Sequence, residues 1–165
     1  MAFTSEEIRE HHDRSRFDSG NPVLDDWLRD DALQTSAMNT GRTFVWHAGD
    51  DVVVAYFTLA AHLVAREALP KRSGRGSPRL IPAILLARLA LDRSLQGQGL
   101  GGELLWDALS RAVAANRQAA ARRVVVDAVD DAAASFYMHF GFEAIPDNPL
   151  RLIQKLSSIE AALTE

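Results

Sequence analysis

The stretch Gln96-Gly97-Gln98-Gly99-Leu100-Gly101-Gly102 contains four of the ten glycines in this chain of 165 residues. It lies between an apolar, strand-like run from Leu80 to Leu91 and an alanine- and leucine-rich run with helical spacing from Leu100 to about Ala120. Glycine permits positive φ and lacks the Cβ that would block a ligand. A helix that begins at such a loop directs unpaired N–H groups toward it. The sequence therefore predicts a phosphate-binding site.

Composition limits the remaining possibilities. The length suits one domain, and we expect a single domain over residues 1–165. Hydrophobic residues make up 47% and charged residues 24%, with no run that could span a membrane and no apolar leader, which favours the cytoplasm. The absence of cysteine excludes a disulfide, a thiolate metal site and a cysteine nucleophile. No histidine–carboxylate spacing predicts a metal site.

Hydrophobic periodicity and turn signals predict the order of elements. We expect a helix from about Val23 to Met38, strands over 43–47 and 52–59 joined by a turn, a loop over 70–78, and a strand over 80–91. The long helix, a strand over 124–126, a helix over 132–140 that ends at Gly141, and a strand over 150–156 follow. This order predicts an α/β or α+β fold with a mixed sheet. On the first helix, Trp27 is expected in the core and Asp25 and Asp26 in solvent.

The glycine loop also spells the dinucleotide motif G-x-G-x-x-G at Gly97, Gly99 and Gly102, with Asp127 near the spacing of a ribose-binding acid. Three features oppose this alternative. A polar spacer separates the strand from the first glycine, whereas the dinucleotide loop follows its strand almost directly. A hairpin precedes the motif, although a dinucleotide motif normally opens a βαβ unit. Too little chain remains for a doubly wound sheet. The loop is therefore interpreted differently.

Starting at Gln96, the same residues spell Gln-x-x-Gly-x-Gly, which resembles the acyl-CoA loop of the GNAT (Gcn5-related) N-acetyltransferases. The segment from Asp130 to Tyr137, followed by Phe140-Gly141-Phe142, resembles the late helix of that family. Phe17-Asp18-Ser19-Gly20 is similar to the N-terminus of the GNAT toxins of bacterial type II toxin–antitoxin modules. The resemblance implies a mixed, mostly antiparallel sheet flanked by helices. It also implies acetylation of the α-amino group of aminoacyl-tRNA, which blocks translation.

The resemblance further implies that acetyl-CoA is bound along the end of the strand, the loop and the late helix. The residues concerned are Leu89, Ala90, Leu91, Arg93, Gln96, Gly97, Gln98, Gly99, Leu100, Gly101, Gly102 and Asp130. Tyr137 is the predicted catalytic residue, because amine attack on a thioester expels a thiolate and a phenol with a pKa near ~10 can donate a proton to it. No general base is evident, although His62, His139 and Asp127 could assist.

The acceptor is predicted to contact a basic segment, residues 66–79, in which Glu67 is the only acid. The predicted tRNA contacts are Arg66, Lys71, Arg72, Arg75 and Arg79 on this segment and Arg88 on the strand. The resemblance also implies a ribbon-helix-helix antitoxin as partner and leaves a homodimer open. Two alternatives remain: a GNAT enzyme that acetylates a small-molecule or protein amine, and a CoA-binding co-repressor without catalysis.

Overall fold

The computed structural model describes residues 3–119 and 121–164, and for Ser73 and residues 117–119 it describes the backbone alone. The elements are β1 (Thr4–Glu7), α1 (Pro22–Asp30), α2 (Ala32–Ala37), β2 (Arg42–His47), β3 (Ala55–Ala65), α3 (Lys71–Gly74), β4 (Leu80–Leu91), α4 (Leu100–Ala119), β5 (Arg123–Asp127), α5 (Asp131–His139), β6 (Glu143–Ile145), β7 (Asn148–Lys155) and α6 (Leu156–Leu163). The predicted end of the long helix at Ala120 lies outside the described residues.

Hydrogen bonds place the strands in the order β1-β2-β3-β4-β5-β7-β6. The pair β4–β5 is parallel, whereas β1–β2, β2–β3, β5–β7 and β6–β7 are antiparallel. The predicted fold class, a mixed and mostly antiparallel sheet with helices, is confirmed. Within the described residues, no helix combines the length and the apolar character needed to cross a membrane.

The chain divides into two compact units, and the division falls within β3, β4 and α4. The first unit comprises the chain up to Ala60 together with Ala87–Ala108, and the second comprises Ala61–Leu86 and the chain from Leu109 onward. The single domain over residues 1–165 stays a prediction.

The core of the first unit is formed where α1 and α2 cover β2 and β3. Its buried residues are Ile8, Phe17, Leu28, Ala32, Val45, Val53, Tyr56 and Ala90. Trp27 packs against this cluster, as predicted. The α1 helix begins as the sequence indicates, because the Asn21 side chain accepts hydrogen bonds from the N–H groups of Val23 and Leu24 and Pro22 occupies the first turn.

Two predicted boundaries in this unit are wrong, and one strand was not predicted. The single helix expected to reach Met38 is two helices, because Asp31 leaves helical geometry with φ −122° and ψ −25°. Strand β3 covers Ala55–Ala65 rather than 52–59. Strand β1 was not predicted, and it pairs antiparallel with β2 from Thr4 opposite His47 to Glu7 opposite Phe44. A four-residue strand that carries two glutamates has no apolar alternation of its own to reveal it.

The second unit has its own core between β4, β5 and β7. The buried residues are Val64, Leu69, Ile81, Ala83, Val125 and Ile153. The segment predicted as a loop over 70–78 contains the short helix α3, and β6 and α6 were not predicted. Helix α5 ends as predicted, since Gly141 has a φ of +96° directly after its C-cap.

Candidate functional site

The glycine loop, residues 96–102, lies in the first unit between a 3-10 turn over Arg93–Leu95 and α4. Gly97 and Gly99 have φ values of +78° and +80°, which side chains of L-residues rarely adopt. A Cβ built on either glycine would meet no heavy atom within 4 Å, so the space beside both positions is open. Gly101 and Gly102 lie in the first turn of α4, where N–H groups lack intrahelical acceptors. The loop thus combines backbone donors with open space, as an anion site requires.

The side chain of Gln96 anchors the loop. Its Nε2 donates to the carbonyl oxygens of Leu91 and Ser19, at 2.8 Å in each case. Ser19 is itself held by Asp25, whose Oδ1 accepts hydrogen bonds from the Ser19 N–H at 3.0 Å and the Ser19 hydroxyl at 2.6 Å. Asp25 is only 5% exposed, so the prediction that it lies in solvent is wrong. Gln96 therefore positions the loop by side-chain contacts, while its own N–H donates to the Arg93 carbonyl at 3.2 Å.

Two acids that were not among the predicted site residues hold the start of the loop. Asp92 accepts hydrogen bonds from the N–H and hydroxyl of Ser94 and from the N–H of Asp18. Asp18 in turn accepts from Arg93 Nε at 3.2 Å. The Arg93 side chain remains 65% exposed, and its predicted contact with a cofactor phosphate stays a prediction. Asp18 lies in the F-D-S-G stretch at residues 17–20, which resembles the toxin family, and Asp92 directly follows the strand end at Leu91.

The end of β4 precedes the glycine loop and the 3-10 turn that leads into it. This strand pairs with β5 over Ala83–Leu86 and continues to Leu91, so the predicted cofactor-binding segment 89–91 extends beyond the paired stretch. Ala90 is buried in the first core, and its neighbours Leu89 and Leu91 are half-buried. Extended backbone that continues past its ladder can accept an added extended chain by main-chain hydrogen bonds.

Arg88, on the same strand, stacks on an aromatic face. Its Cζ lies 3.9 Å from the ring centroid of Trp27, a cation–π geometry. Burial lowers the pKa of the Arg88 guanidinium, and the charges of Tyr56 and Asp31 act in the opposite direction. Arg88 is therefore a half-buried, oriented cation, and its predicted contact with tRNA stays a prediction.

Tyr137, in the second unit, is buried on α5. It is 7% exposed and packs edge-on against Phe136 and Phe142, with centroid distances of 5.3 and 5.7 Å. Burial raises the pKa of its phenol, so the proton stays on the oxygen throughout the physiological range. Within the described part of the chain, no group makes a hydrogen bond to that oxygen. The phenol is thus a fixed donor that can serve a bound ligand.

Neighbouring polar residues of the second unit have partners of their own. Asp130 caps α5, since its Oδ1 accepts from the Ala133 N–H at 2.8 Å, and its predicted cofactor contact stays a prediction. Arg151 forms a bidentate pair with Asp127 at 2.7 and 2.8 Å and lies 3.2 Å from His62 Nε2. Burial, followed by the charge of Arg151, lowers the pKa of His62. Arg151 therefore joins two of the predicted helpers, and His62 is a neutral acceptor.

Comparison with known proteins places this geometry in a family. The model of the acetyltransferase (GNAT) domain matches residues 26–151, which is more than half of the chain. The chain belongs to the GNAT acetyltransferases. Membership of this family favours the acyl-CoA interpretation of residues 96–102 over the dinucleotide alternative, and the role of the individual loop residues stays a prediction.

Individual GNAT relatives cover almost all of the chain. A protein of Mycobacterium tuberculosis (strain ATCC 25618 / H37Rv) described as a tRNA-acetylating toxin is 41% identical over 156 residues, which cover 94% of this chain and 93% of the relative. The structure of the toxin AtaT complexed with acetyl-methionyl-tRNAfMet has a TM-score of 0.89 and 29% identity, and the match covers 97% of this chain and 98% of AtaT. A tyrosine-to-phenylalanine mutant of AtaT, bound to the C-terminus of the antitoxin AtaR and acetyl-CoA, matches with a TM-score of 0.86 and 26% identity over 100% of both chains.

The basic segment of this GNAT chain is ordered by its own contacts. Arg66 donates from its N–H to the Arg79 carbonyl at 2.9 Å and from Nη1 to the Ser77 carbonyl at 3.1 Å. Arg72 forms an ion pair with Glu143. Lys71, Arg75 and Arg79 are exposed. Their contacts with tRNA stay predictions.

A group of histidines and acids that sequence spacing did not predict meets in the first unit: Glu6, His12, His47 and Asp51, with donor atoms within 4.8 Å of one another. Glu6 Oε1 lies 2.7 Å from Nε2 of both histidines. Nδ1 of His12 accepts from the Arg9 N–H at 2.8 Å, and Nδ1 of His47 accepts from the Gly49 N–H at 3.1 Å. Each neutral ring therefore carries its proton on Nε2. This arrangement does not fit a metal, because histidine ligands ordinarily donate from the second ring nitrogen.

Replacing Glu6 with glutamine should flatten the acid limb of the stability curve. The hydrogen bonds from His12 and then His47 lower the pKa of Glu6 from 4.5 to about 2. A carboxyl whose folded pKa is depressed stabilises the fold above its unfolded pKa and loses that contribution as pH falls from 4.5 toward 2. Urea unfolding between pH 2 and 6 measures the slope. The exposed Glu10 provides the control, since Glu10→Gln should leave the slope unchanged; equal slopes for wild type and Glu6→Gln contradict the assignment.

Replacing Gly141 with alanine should destabilise the protein by about 1–2 kcal/mol, most of it from the left-handed backbone, because the atom that a Cβ would meet is the movable end of the Gln154 side chain. Its φ is +96°, and a Cβ there would lie 2.8 Å from Gln154 Nε2. Gly76→Ala is the matched control, because Gly76 has a φ of +76° with no atom within 4 Å of an added Cβ, and only the backbone cost of about 1 kcal/mol applies. Chemical denaturation measures both variants. Equal losses would show that the Gln154 contact has no energetic weight.

Proposed function

We propose that this protein is an acetyl-CoA-dependent N-acetyltransferase that acetylates the α-amino group of aminoacyl-tRNA and thereby blocks translation. The 41% identity to a tRNA-acetylating toxin over 94% of the chain carries the proposal. The AtaT structure with acetyl-methionyl-tRNAfMet, matched over 97% of this chain, supports the same acceptor. Acetylation removes the charge and the nucleophilicity of the amine, so the aminoacyl group can no longer accept a peptide.

Acetyl-CoA supplies the acetyl group as a thioester. The residues that would hold it are the glycine loop, through the backbone amides of residues 97–102, and the backbone of 89–91. The fit rests on the positive φ of Gly97 and Gly99 and on the open space where a Cβ would stand. Gln96 fixes the loop, and the N-terminus of α4 adds the positive end of its dipole.

Tyr137 would hold a proton at its phenol oxygen and donate it toward the departing sulfur. Burial keeps this oxygen protonated, and no described residue competes for its hydrogen. Because the raised pKa makes the phenol a weaker acid, it would keep its proton until the departing sulfur carries negative charge. Because the chain has no cysteine, we propose direct transfer to the amine without a cysteine acyl-enzyme.

The acceptor amine needs little help from the protein. The ester of aminoacyl-tRNA withdraws electrons and lowers the pKa of the α-amino group, so water can take the released proton. The basic segment and Arg88 would contact the acceptor RNA. The cognate partner would be an antitoxin of the ribbon-helix-helix type, with the toxin as a homodimer acting in the cytoplasm, where charged tRNA occurs.

The test is acetylation of total charged tRNA with radiolabelled acetyl-CoA. We expect label on the aminoacyl group, lost when the amine is blocked beforehand and absent from uncharged tRNA. A panel of free amino acids, polyamines and a lysine peptide is the comparison. Turnover of a free amine without turnover of charged tRNA would contradict the proposed acceptor, and CoA binding without any turnover would contradict an enzyme.

A further inference from the structure

A cavity of about 360 Å³ in the second unit opens beside the N-terminus of α6. Four cations from separate parts of the unit line it, namely Arg75, Arg122, Arg123 and Lys155, with Glu160 as an acid on the same wall. Arg75, Arg122 and Lys155 are exposed, whereas Arg123 is 4% exposed. The cavity is therefore basic at its mouth and in its interior.

Strand register forces these cations together. Arg123 at the start of β5 lies directly opposite Lys155 at the end of β7 in the antiparallel ladder. Like charges directly opposite on neighbouring strands destabilise a sheet. Burial, and next the charge of Arg122, lower the pKa of the Arg123 guanidinium. An anion between Arg122, Arg123 and Lys155 would reduce the repulsion among the three like charges.

The helix adds backbone donors. Lys155 is the N-cap of α6, and it supplies no side-chain cap. The N–H of Leu156 donates to the Arg122 carbonyl at 3.1 Å. The following amides, of Ser157 and Ser158, belong to the first turn, which an α-helix leaves without intrahelical acceptors. They lie at the positive end of the helix dipole.

Ser77 provides an independent sign of a ligand. It lines the cavity and is 5% exposed, and its buried hydroxyl has no hydrogen-bond partner among the described residues. Its backbone is held on both sides, since its N–H donates to the Gly74 carbonyl at 3.0 Å and its carbonyl accepts from Arg66 Nη1 at 3.1 Å. A fixed, buried hydroxyl without a partner costs stability unless a bound group satisfies it.

We propose that this cavity is a phosphate-binding site that receives a backbone phosphate of the tRNA, an inference that rests on the proposed tRNA acceptor. Phosphate oxygens accept bidentate hydrogen bonds from guanidinium, charge-assisted bonds from lysine, and bonds from hydroxyl and helix N–H groups, all of which are present here. The exposed cations at the mouth suit a phosphate on a polymer that remains outside the protein. Arg75 links the site to the basic segment over 66–79.

The test measures the affinity for total tRNA by filter binding over a series of salt concentrations. Arg122→Gln and Lys155→Gln should each weaken binding about fivefold to tenfold near ~0.1 M salt and reduce the slope of log K against log salt by about 0.7 to 0.9. Arg9 provides the matched control, because it is an exposed arginine of the first unit and does not line the cavity. Arg9→Gln should change neither the affinity nor the salt slope. A merely structural effect would not alter the salt slope.

Ser77→Ala separates binding from folding. Removal of an unsatisfied buried hydroxyl should raise Tm by about 1–3 °C, while the affinity for tRNA falls about threefold or more. Unchanged affinity and salt slope in all three variants overturn the site. A raised KM for acetyl-CoA with unchanged tRNA affinity assigns the phosphate to CoA and overturns the site. A loss of affinity for polyglutamate, a model acidic peptide, with unchanged tRNA affinity assigns the cations to an acidic peptide and also overturns it. Wild-type protein that binds tRNA without acetylating it contradicts the proposed function and leaves this site standing.

Discussion

Replacing Tyr137 with phenylalanine is expected to lower kcat for acetyl transfer to charged tRNA by about 100-fold or more. The change removes only the phenolic hydroxyl. The buried ring packs against Phe136 and Phe142 in either variant. No described residue makes a hydrogen bond to the phenol oxygen, so Tm should stay within about 2 °C of wild type. Initial rates at saturating acetyl-CoA, together with a thermal melt, measure the two effects.

The other tyrosine of the chain is the matched control. Tyr56 is fully buried, and its hydroxyl donates to the Leu24 carbonyl at 2.7 Å. Tyr56→Phe leaves that carbonyl without its donor, which should cost about 1–3 kcal/mol of folding stability while kcat is retained. Undiminished transfer by Tyr137→Phe, alongside wild-type growth arrest on expression, would remove Tyr137 from the mechanism.

Replacing Gly99 with alanine should raise the KM for acetyl-CoA by about 10- to 100-fold, the loss expected when hydrogen bonds to a charged group are broken. The added Cβ would stand in the open space beside the loop, and the φ of +80° would strain a residue with a side chain. Backbone amides that are displaced by even a small distance would lose their proposed alignment with the pyrophosphate of acetyl-CoA. Steady-state kinetics with acetyl-CoA as the varied substrate gives the effect.

Gly49→Ala isolates the backbone strain. Gly49 has a φ of +97°, and a Cβ on it would also meet no atom within 4 Å, but it lies in the turn that follows β2. Both variants should lose a similar amount of stability, about 1 kcal/mol, and only Gly99→Ala should lose affinity for acetyl-CoA. An equal change in KM for both variants would mean that the loop acts through stability alone.

Local patterns sufficed for part of the fold. The apolar run over 80–91, the helical spacing after Leu100 and Gly141 at the end of α5 each report the structure of their own neighbourhood, because strand burial, helix amphipathicity and positive φ are properties of a few consecutive residues. The glycine loop belongs to the same class. Its G-x-G-x-x-G spelling alone favoured no single cofactor, and residues further along the chain decided between them.

Contacts between distant residues were not predictable in this way. β1 is a strand only because β2, some forty residues later, supplies its hydrogen-bond partners. Asp25 was expected in solvent from its place on an acidic helix face, yet the turn at Ser19 folds over its carboxylate. Asp31 interrupts a helix whose periodicity continues on both sides of it.

The sequence by itself determined the family, because the glycine loop and the late helix with Tyr137 together carry its motifs. It also predicted the loop as the cofactor-binding segment and Tyr137 as the residue for the chemistry. Only the tertiary structure decided what surrounds these motifs. Gln96 anchors the loop to Ser19 and Leu91, and Glu6 lies against two histidines. The register of β5 with β7 places Arg123 opposite Lys155, in the cavity that Ser77 also lines. Such contacts depend on strand register and chain crossing, which local hydrophobic periodicity does not encode.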